Sequence, residues 1–205
     1  MNGIVPRFEF RTFGRDFARI EENIRRLSAD ETLRESREVY ILRPKQWQRN
    51  IKIRGGRLEV KELIEQRDGL QRWNPAGQWT FPLKAGELEN SILPGLRSDD
   101  RRPGTQGLSK QRLLGELVRD SHVLWRANVF KRRVGYTTGE CSTEIDEILV
   151  NGALVRSVAI ESEDADAVVA IRRELGLADH ENVSYPLAIA RIMGLEPLPD
   201  EDRYG

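Results

Sequence analysis

The sequence predicts an α+β protein whose antiparallel strands close into a β-barrel with peripheral helices, and three observations carry that expectation. Short segments place full charges at every second position with apolar residues mostly between them. Two-residue hairpin signals join several of these segments, and helical spacing is confined to a few stretches between and after them. Residues i and i+2 of a strand share a face, so each segment has one charged side and one largely apolar side. A solvated outer face can alternate in the same way. Here, however, nearly every polar position is a full Arg, Lys or Glu charge, which points instead to charged faces converging on a water-filled lumen.

The first strand spans residues 4–13, with Arg7, Glu9 and Arg11 alternating with Phe8 and Phe10. Gly14 and Asp16 lead into a helix on which Phe17, Ile20, Ile24 and Leu27 recur at spacings of three and four, with Asp16 as its N-cap. Residues 38–42, 50–54 and 57–63 read as strands; Lys52 and Arg54 alternate with Ile51 and Ile53, and Glu59 and Lys61 with Leu58 and Val60. Gly55-Gly56 between the last two is a hairpin turn, because both residues can take positive φ. Trp79 and Phe81 support a further strand over 78–83. Residues 94–109, including SDDRRPGTQG, form a long internal loop.

Beyond that loop, Ser109 caps a helix with Leu113, Leu114, Leu117 and Val118 on one face. Three strands follow at 123–136, 139–150 and 153–162, carrying Lys131 and Arg133, Glu144 and Asp146, then Glu161. Asn151-Gly152 is again a hairpin dipeptide. Helices over 164–175 and 184–193 end at Gly176 and Gly194, and Pro186 is tolerated near a helix start, where amides lack partners anyway. Both halves carry the same charged alternation, so one domain over 1–195 is expected, with a flexible tail over 196–205. A barrel is the expected form because it removes strand edges.

Composition narrows the function. Of 205 residues, 32% are charged, yet Lys plus Arg and Asp plus Glu are each 33, so the net charge is zero. That argues against a double-stranded nucleic-acid binder relying on overall positive charge, and any polyanion site must be local. The single Cys141 excludes an internal disulfide and a multi-cysteine zinc site; placed opposite Ser142, Glu144 and Asp146, it reads as a small core residue. His122 and His180 have no ligand-spaced neighbours. Trp73 and Trp79 read as packing residues rather than a platform for a base. No apolar run is long enough for a membrane helix, so no membrane partner is expected and the cytoplasm is the simplest location.

Six short motifs, in order, resemble those of the CYTH domain, the fold of the triphosphate tunnel metalloenzymes. They are RFEFR (7–11), IKIR (51–54), LEVK (58–61), KRR (131–133), TEIDEI (143–148) and IESE (160–163), followed by a helix with a Ser-Tyr in NVSYPLAI (182–189). The resemblance spans nearly the whole chain. It implies an eight-stranded antiparallel tunnel holding a triphosphate and a divalent metal, commonly Mg2+ or Mn2+. Family members hydrolyse inorganic triphosphate, thiamine triphosphate or RNA 5′-triphosphate ends, or cyclise ATP. Carried over by motif, Glu9, Glu161 and Glu163 match metal-binding, catalytic carboxylates, with Asp146 or Glu144 as an addition. Arg11, Lys52, Arg54, Lys61, Lys131 and Arg133 match phosphate-binding positions. The chemistry suits these residue types: Arg and Lys neutralise phosphate oxygens, and carboxylates hold a hard cation.

One departure matters. The opening motif has Arg7 where the family has its first carboxylate, and Arg11 where it has Lys. The sequence therefore supports two functions: a metal-dependent phosphohydrolase acting on a triphosphate or polyphosphate, and a polyphosphate- or nucleotide-binding module without catalysis. A third, a structural or adaptor domain, holds if the charges pair internally and leave no accessible lumen.

Overall fold

Charge alternation resolves into a barrel with its polarity inverted: salt bridges inside, apolar residues mostly outside. The computed structural model describes residues 5–28, 30–94 and 107–199. Its strands are β1 (Arg7–Gly14), β2 (Glu31–Leu42), β3 (Arg49–Arg54), β4 (Arg57–Arg67), β5 (Leu70–Thr80), β6 (Trp125–Thr138), β7 (Cys141–Val150) and β8 (Ala153–Ser162). They close in the order β1-β5-β4-β3-β2-β6-β7-β8, every pair antiparallel. The helices are α1 (Ala18–Leu27), α2 (Ala85–Glu87), α3 (Lys110–Arg112), α4 (Ala165–Glu174) and α5 (Tyr185–Ile192); α2 and α3 each run on into a π-helical turn, Leu88–Ile92 and Leu113–Val118. No helix among the described residues is long and apolar enough to cross a membrane.

Three apolar clusters hold the barrel. On one flank Phe8, Phe10, Ile145, Val158 and Ile160 pack against Ile20 and Ile24 of α1 and Val168 of α4. On the other, Ile51, Ile53, Leu58 and Val60 pack beneath Leu88, Ile92, Leu113 and Val118. The third cluster is internal: Tyr40, Leu42, Ala127, Val129, Ile148 and Val150 meet Tyr185 and Ile189, so α5 closes one end of the barrel. Each fully buried aliphatic side chain contributes roughly 1.5–3 kcal/mol, so the helices stabilise the barrel from outside while its charges line the inside.

The hairpin readings are borne out by backbone geometry. Gly55 and Gly56 have φ of 55° and 77°, and β8 has the expected bounds. Other expectations need correction. β1 begins at Arg7, and residue 4 lies outside the described residues. β2 begins at Glu31, because residues 31–37 pair with β6 although ETLRESR has almost no apolar alternation to signal a strand. The strand expected at 78–83 is Leu70–Thr80; pairing with β4 carries it through Pro75, which sits beside a register shift where no ladder donor is needed. Phe17, not Asp16, occupies the α1 N-cap, although Asp16 Oδ1 accepts the Ala18 amide at 2.9 Å. Ser109 does cap its helix, its Oγ accepting from the Arg112 amide. Of the expected loop 94–109, residues 95–106 lie outside the described residues, as do 200–205 of the expected tail.

Candidate functional site

β1 pairs with β5 only through Arg7, Phe8 and Glu9, and past that point the segment before α5 fills the seam. Asn182 Nδ2 donates to the Glu9 and Gly69 carbonyls, its Oδ1 accepts the Arg11 amide, and the Val183 amide donates to the Arg11 carbonyl. Ser184 then starts α5, which delivers the Tyr185 ring to the floor of the lumen. Above that floor lies a cavity of about 170 Å³, lined by Glu9, Arg11, Lys52, Lys61, Lys131 and Glu161 among others.

The lumen charges are sorted by strand. Glu144 and Asp146 of β7, Glu161 of β8 and Glu9 of β1 form an acidic arc on neighbouring strands. Lys61 of β4, Lys52 and Arg54 of β3, and Lys131 and Arg133 of β6 form a basic arc, in which Glu38 of β2 and Glu59 of β4 are embedded. Ala159 shares a row with Arg11 and Glu144, and its short side chain leaves room for the guanidinium.

Arg11 is the hub of the acidic arc. Its guanidinium lies 2.6 Å from Glu9, 2.8 Å from Asp146, 3.3 Å from Glu144 and 3.8 Å from Glu161. The Tyr185 hydroxyl donates to Asp146 at 2.6 Å and the Ser157 hydroxyl donates to the same carboxylate oxygen at 3.1 Å, which fixes the fully buried carboxylate. In the basic arc Lys131 Nζ donates to Tyr40 Oη at 2.7 Å, lies 2.9 Å from Glu38, and sits 3.5 Å from the Tyr185 ring centroid. Arg54 pairs with Glu59 at 3.0 Å, and Arg133 lies 3.3 Å from Glu144 and 3.4 Å from Asp146, joining the two arcs. Lys61 lines the cavity yet makes no ion pair among the described residues.

This packing moves proton affinities. Burial opposes ionisation of Glu9, but Arg11 and then Lys61 overcome it and hold its carboxyl below the usual range. Burial is likewise overcome at Glu38, where Lys131 and Lys52 keep the carboxylate charged. At Glu161 Lys61 and Arg11 compensate too little: burial, then Glu9 and Glu144, push its carboxyl up to about 7. Lys131 moves the other way, as burial and then Lys52 bring its ammonium down to about 7 despite Glu38. Two groups in one cavity thus titrate near neutrality.

The structure brings ten of the sequence-derived residues together: Glu9, Arg11, Lys52, Arg54, Lys61, Lys131, Arg133, Glu144, Asp146 and Glu161. It does not bring in Glu163, which follows the last residue of β8 and is exposed. Arg7 is exposed beside the outer mouth. Tyr40, Asn50, Glu38, Ser157 and Tyr185 were missed as lumen residues. The alternation of Glu38 with Tyr40 carried a signal for those two; Asn50 and Ser157 looked like ordinary strand polar groups.

The Mg2+ or Mn2+ that the resemblance implies can be tested against these donors. Glu9, Glu144 and Glu161 offer hard carboxylate oxygens, and the mutual repulsion that lifts Glu161 is what a divalent cation relieves. The buried Asp146 Oδ1 has no hydrogen-bond partner. The donor chemistry fits. In the present packing Arg11 takes these carboxylates, and no group of three or more His, Cys, Asp and Glu side chains among the described residues is arranged to hold a metal.

A closed eight-stranded antiparallel barrel around a charged lumen defines the tunnel-barrel class of proteins, and this chain has the fold of the CYTH domain. No family model and no curated protein matches its sequence. Among solved structures it is similar to the PH1012 protein of Pyrococcus horikoshii OT3, with 18% identity over 87% of this chain and 97% of that one and a TM-score of 0.52. The conserved hypothetical protein Pfu-838710-001 of Pyrococcus furiosus aligns at 15% identity over 87% of this chain and 98% of its own, TM-score 0.51. HpAC1 of Hippeastrum, a putative adenylyl cyclase with a dominant triphosphatase activity, aligns at 13% identity over 95% of this chain and 99% of its own, TM-score 0.50.

Proposed function

We propose that the lumen binds the phosphate chain of a triphosphate or polyphosphate together with a divalent cation, Mg2+ or Mn2+, and hydrolyses the terminal anhydride. The observation that carries this reading is the sorting of the lumen charges into an acidic arc facing a basic arc across an accessible cavity. With Arg11 set in the acidic arc and Glu38 and Glu59 in the basic one, six carboxylates (Glu9, Glu38, Glu59, Glu144, Asp146, Glu161) share the lumen with six cations (Arg11, Lys52, Arg54, Lys61, Lys131, Arg133). A lumen so balanced has little pull on a bare polyanion. It suits a ligand with both signs of charge, such as a phosphate chain carrying a metal ion. The open cavity also counts against the purely structural reading, in which internal pairing closes the lumen.

In this reading Lys61, Lys52, Arg54, Lys131 and Arg133 hold phosphate oxygens, while Glu9, Glu144 and Glu161 would hold the cation, which supplies charge neutralisation. Water attacks the terminal phosphorus, the phosphoric anhydride bond breaks, and orthophosphate leaves with the shortened chain. The proton that the water gives up is taken by the departing phosphate products and solvent, so no side-chain nucleophile is needed. Charge stabilisation from the arcs does most of the work.

Phosphate release from inorganic triphosphate and from ATP, with Mg2+ or Mn2+ against a chelator control, tests the proposal. Metal-dependent release that is lost in Glu161→Ala is expected. Triphosphate that raises Tm without any release would select the second reading, binding without catalysis, which Arg7 at the mouth and the engagement of the acidic arc by Arg11 favour.

A further inference from the structure

The phosphate-binding reading gives every lumen cation a task except Arg11, which stands where the metal would. All three of its guanidinium nitrogens are given to carboxylates: Nε to Glu9, Nη1 to Asp146, and Nη2 to Glu144 and Glu161. Among the described residues Glu9 and Glu161 have no other ion-pair partner. Nor is the side chain loosely placed. It is 3% exposed, its guanidinium carbon lies 4.6 Å from the Tyr185 ring centroid, and its backbone is clamped by Asn182 and Val183. One guanidinium among four carboxylates leaves the arc short of positive charge, in keeping with the raised Glu161 carboxyl. These oxygens would therefore take a dication if Arg11 withdrew.

A buried lysine can give up its charge by losing a proton, but an arginine keeps its charge wherever it is placed. Arg11 therefore makes room for a dication only by moving. A free divalent ion approaching the arc meets a fixed positive charge in a site poor in water, where like charges repel strongly. A phosphate chain changes the balance, because its oxygens match a guanidinium in paired hydrogen bonds and give Arg11 another anion to hold. We propose that Arg11 excludes free divalent cations from the acidic arc, so that the metal enters only as a complex with a phosphate chain. The inference rests on the reading of Glu9, Glu144 and Glu161 as the cation site, and makes Arg11 the residue that sets which form of cation is accepted.

The test measures binding of Mn2+ alone, by loss of the free-ion paramagnetic resonance signal, to the parent, Arg11→Gln and Arg11→Lys. Arg11→Gln is expected to bind Mn2+ at least about tenfold more tightly than the parent, with Arg11→Lys between them. Should Arg11→Gln unfold without metal, recovery of its Tm by Mn2+, and not by Na+ at equal ionic strength, supports the same conclusion. Equal Mn2+ affinity in all three proteins would overturn the proposal. So would an Arg11→Gln variant that Mn2+ fails to rescue, combined with an Arg11→Lys variant binding no more tightly than the parent. Mn2+ with inorganic triphosphate should raise the Tm of the parent, whereas Mn2+ alone should not. If the mixture shifts none of the proteins, the phosphate-binding reading falls and entry as a complex falls with it, while the result with Mn2+ alone still decides exclusion by Arg11.

Discussion

Lys61 and Lys131 face the same cavity but differ in what they leave behind when removed. Lys61 has no ion-pair partner among the described residues, so Lys61→Ala should weaken triphosphate binding by about 1–3 kcal/mol with little change in urea midpoint. Unchanged affinity would place the ligand away from the basic arc. Lys131→Ala removes the nearest cation from the fully buried Glu38 carboxylate and leaves it Lys52 at 3.5 Å and Arg54 at 3.8 Å, so a loss of about 1–3 kcal/mol of stability is expected from urea unfolding. Glu161 gives a pH signature of known sign. Its folded pKa of about 7 lies above the ordinary 4.5, so between those values the native state binds more protons and stability falls as pH rises. Glu161→Gln should therefore gain stability relative to the parent from pH 4.5 to 7; parallel curves would show that Glu161 titrates normally. These residues differed in legibility. Charged positions could be read from alternation, and Tyr40 shares that alternation with Glu38, whereas the place of the Tyr185 hydroxyl follows from the docking of α5, which no local pattern encodes.

Among the elements, α5 has the most consequence for the site, because its Tyr185 and Ile189 close the barrel floor. Ile189→Ala should cost about 2–5 kcal/mol, measured by denaturant unfolding, and should loosen the Tyr185–Asp146 contact above it. A cost well below that range would mean that the floor is held by the strands alone. The helix itself was plain in sequence, bounded by Ser184 and Gly194. Its docking was not, since that depends on Asn182 bridging Glu9, Arg11 and Gly69 across more than a hundred residues of chain. β2 shows the opposite case. Its first half pairs with β6 alone, with no apolar period to mark it, so tertiary pairing rather than propensity sets its start.

Across the whole molecule, closure is uneven. Residues 31–37 of β2 and 74–80 of β5 each have a neighbour on one side only, whereas residues 38–41 of β2 are paired on both. Amides of the one-sided stretches should exchange with deuterium faster than those of the doubly paired ladder; uniform protection would contradict this description. The inverted polarity also bears on the order of events at synthesis. All eight strands precede α5 in the chain, so the barrel wall can be made before the side chains that close its floor exist. Until Tyr185 and Ile189 arrive, water can reach Arg11 and Asp146 from below. Docking of α5 is then the step that dries these charges, and it joins their desolvation and the burial of the last apolar cluster in one late event.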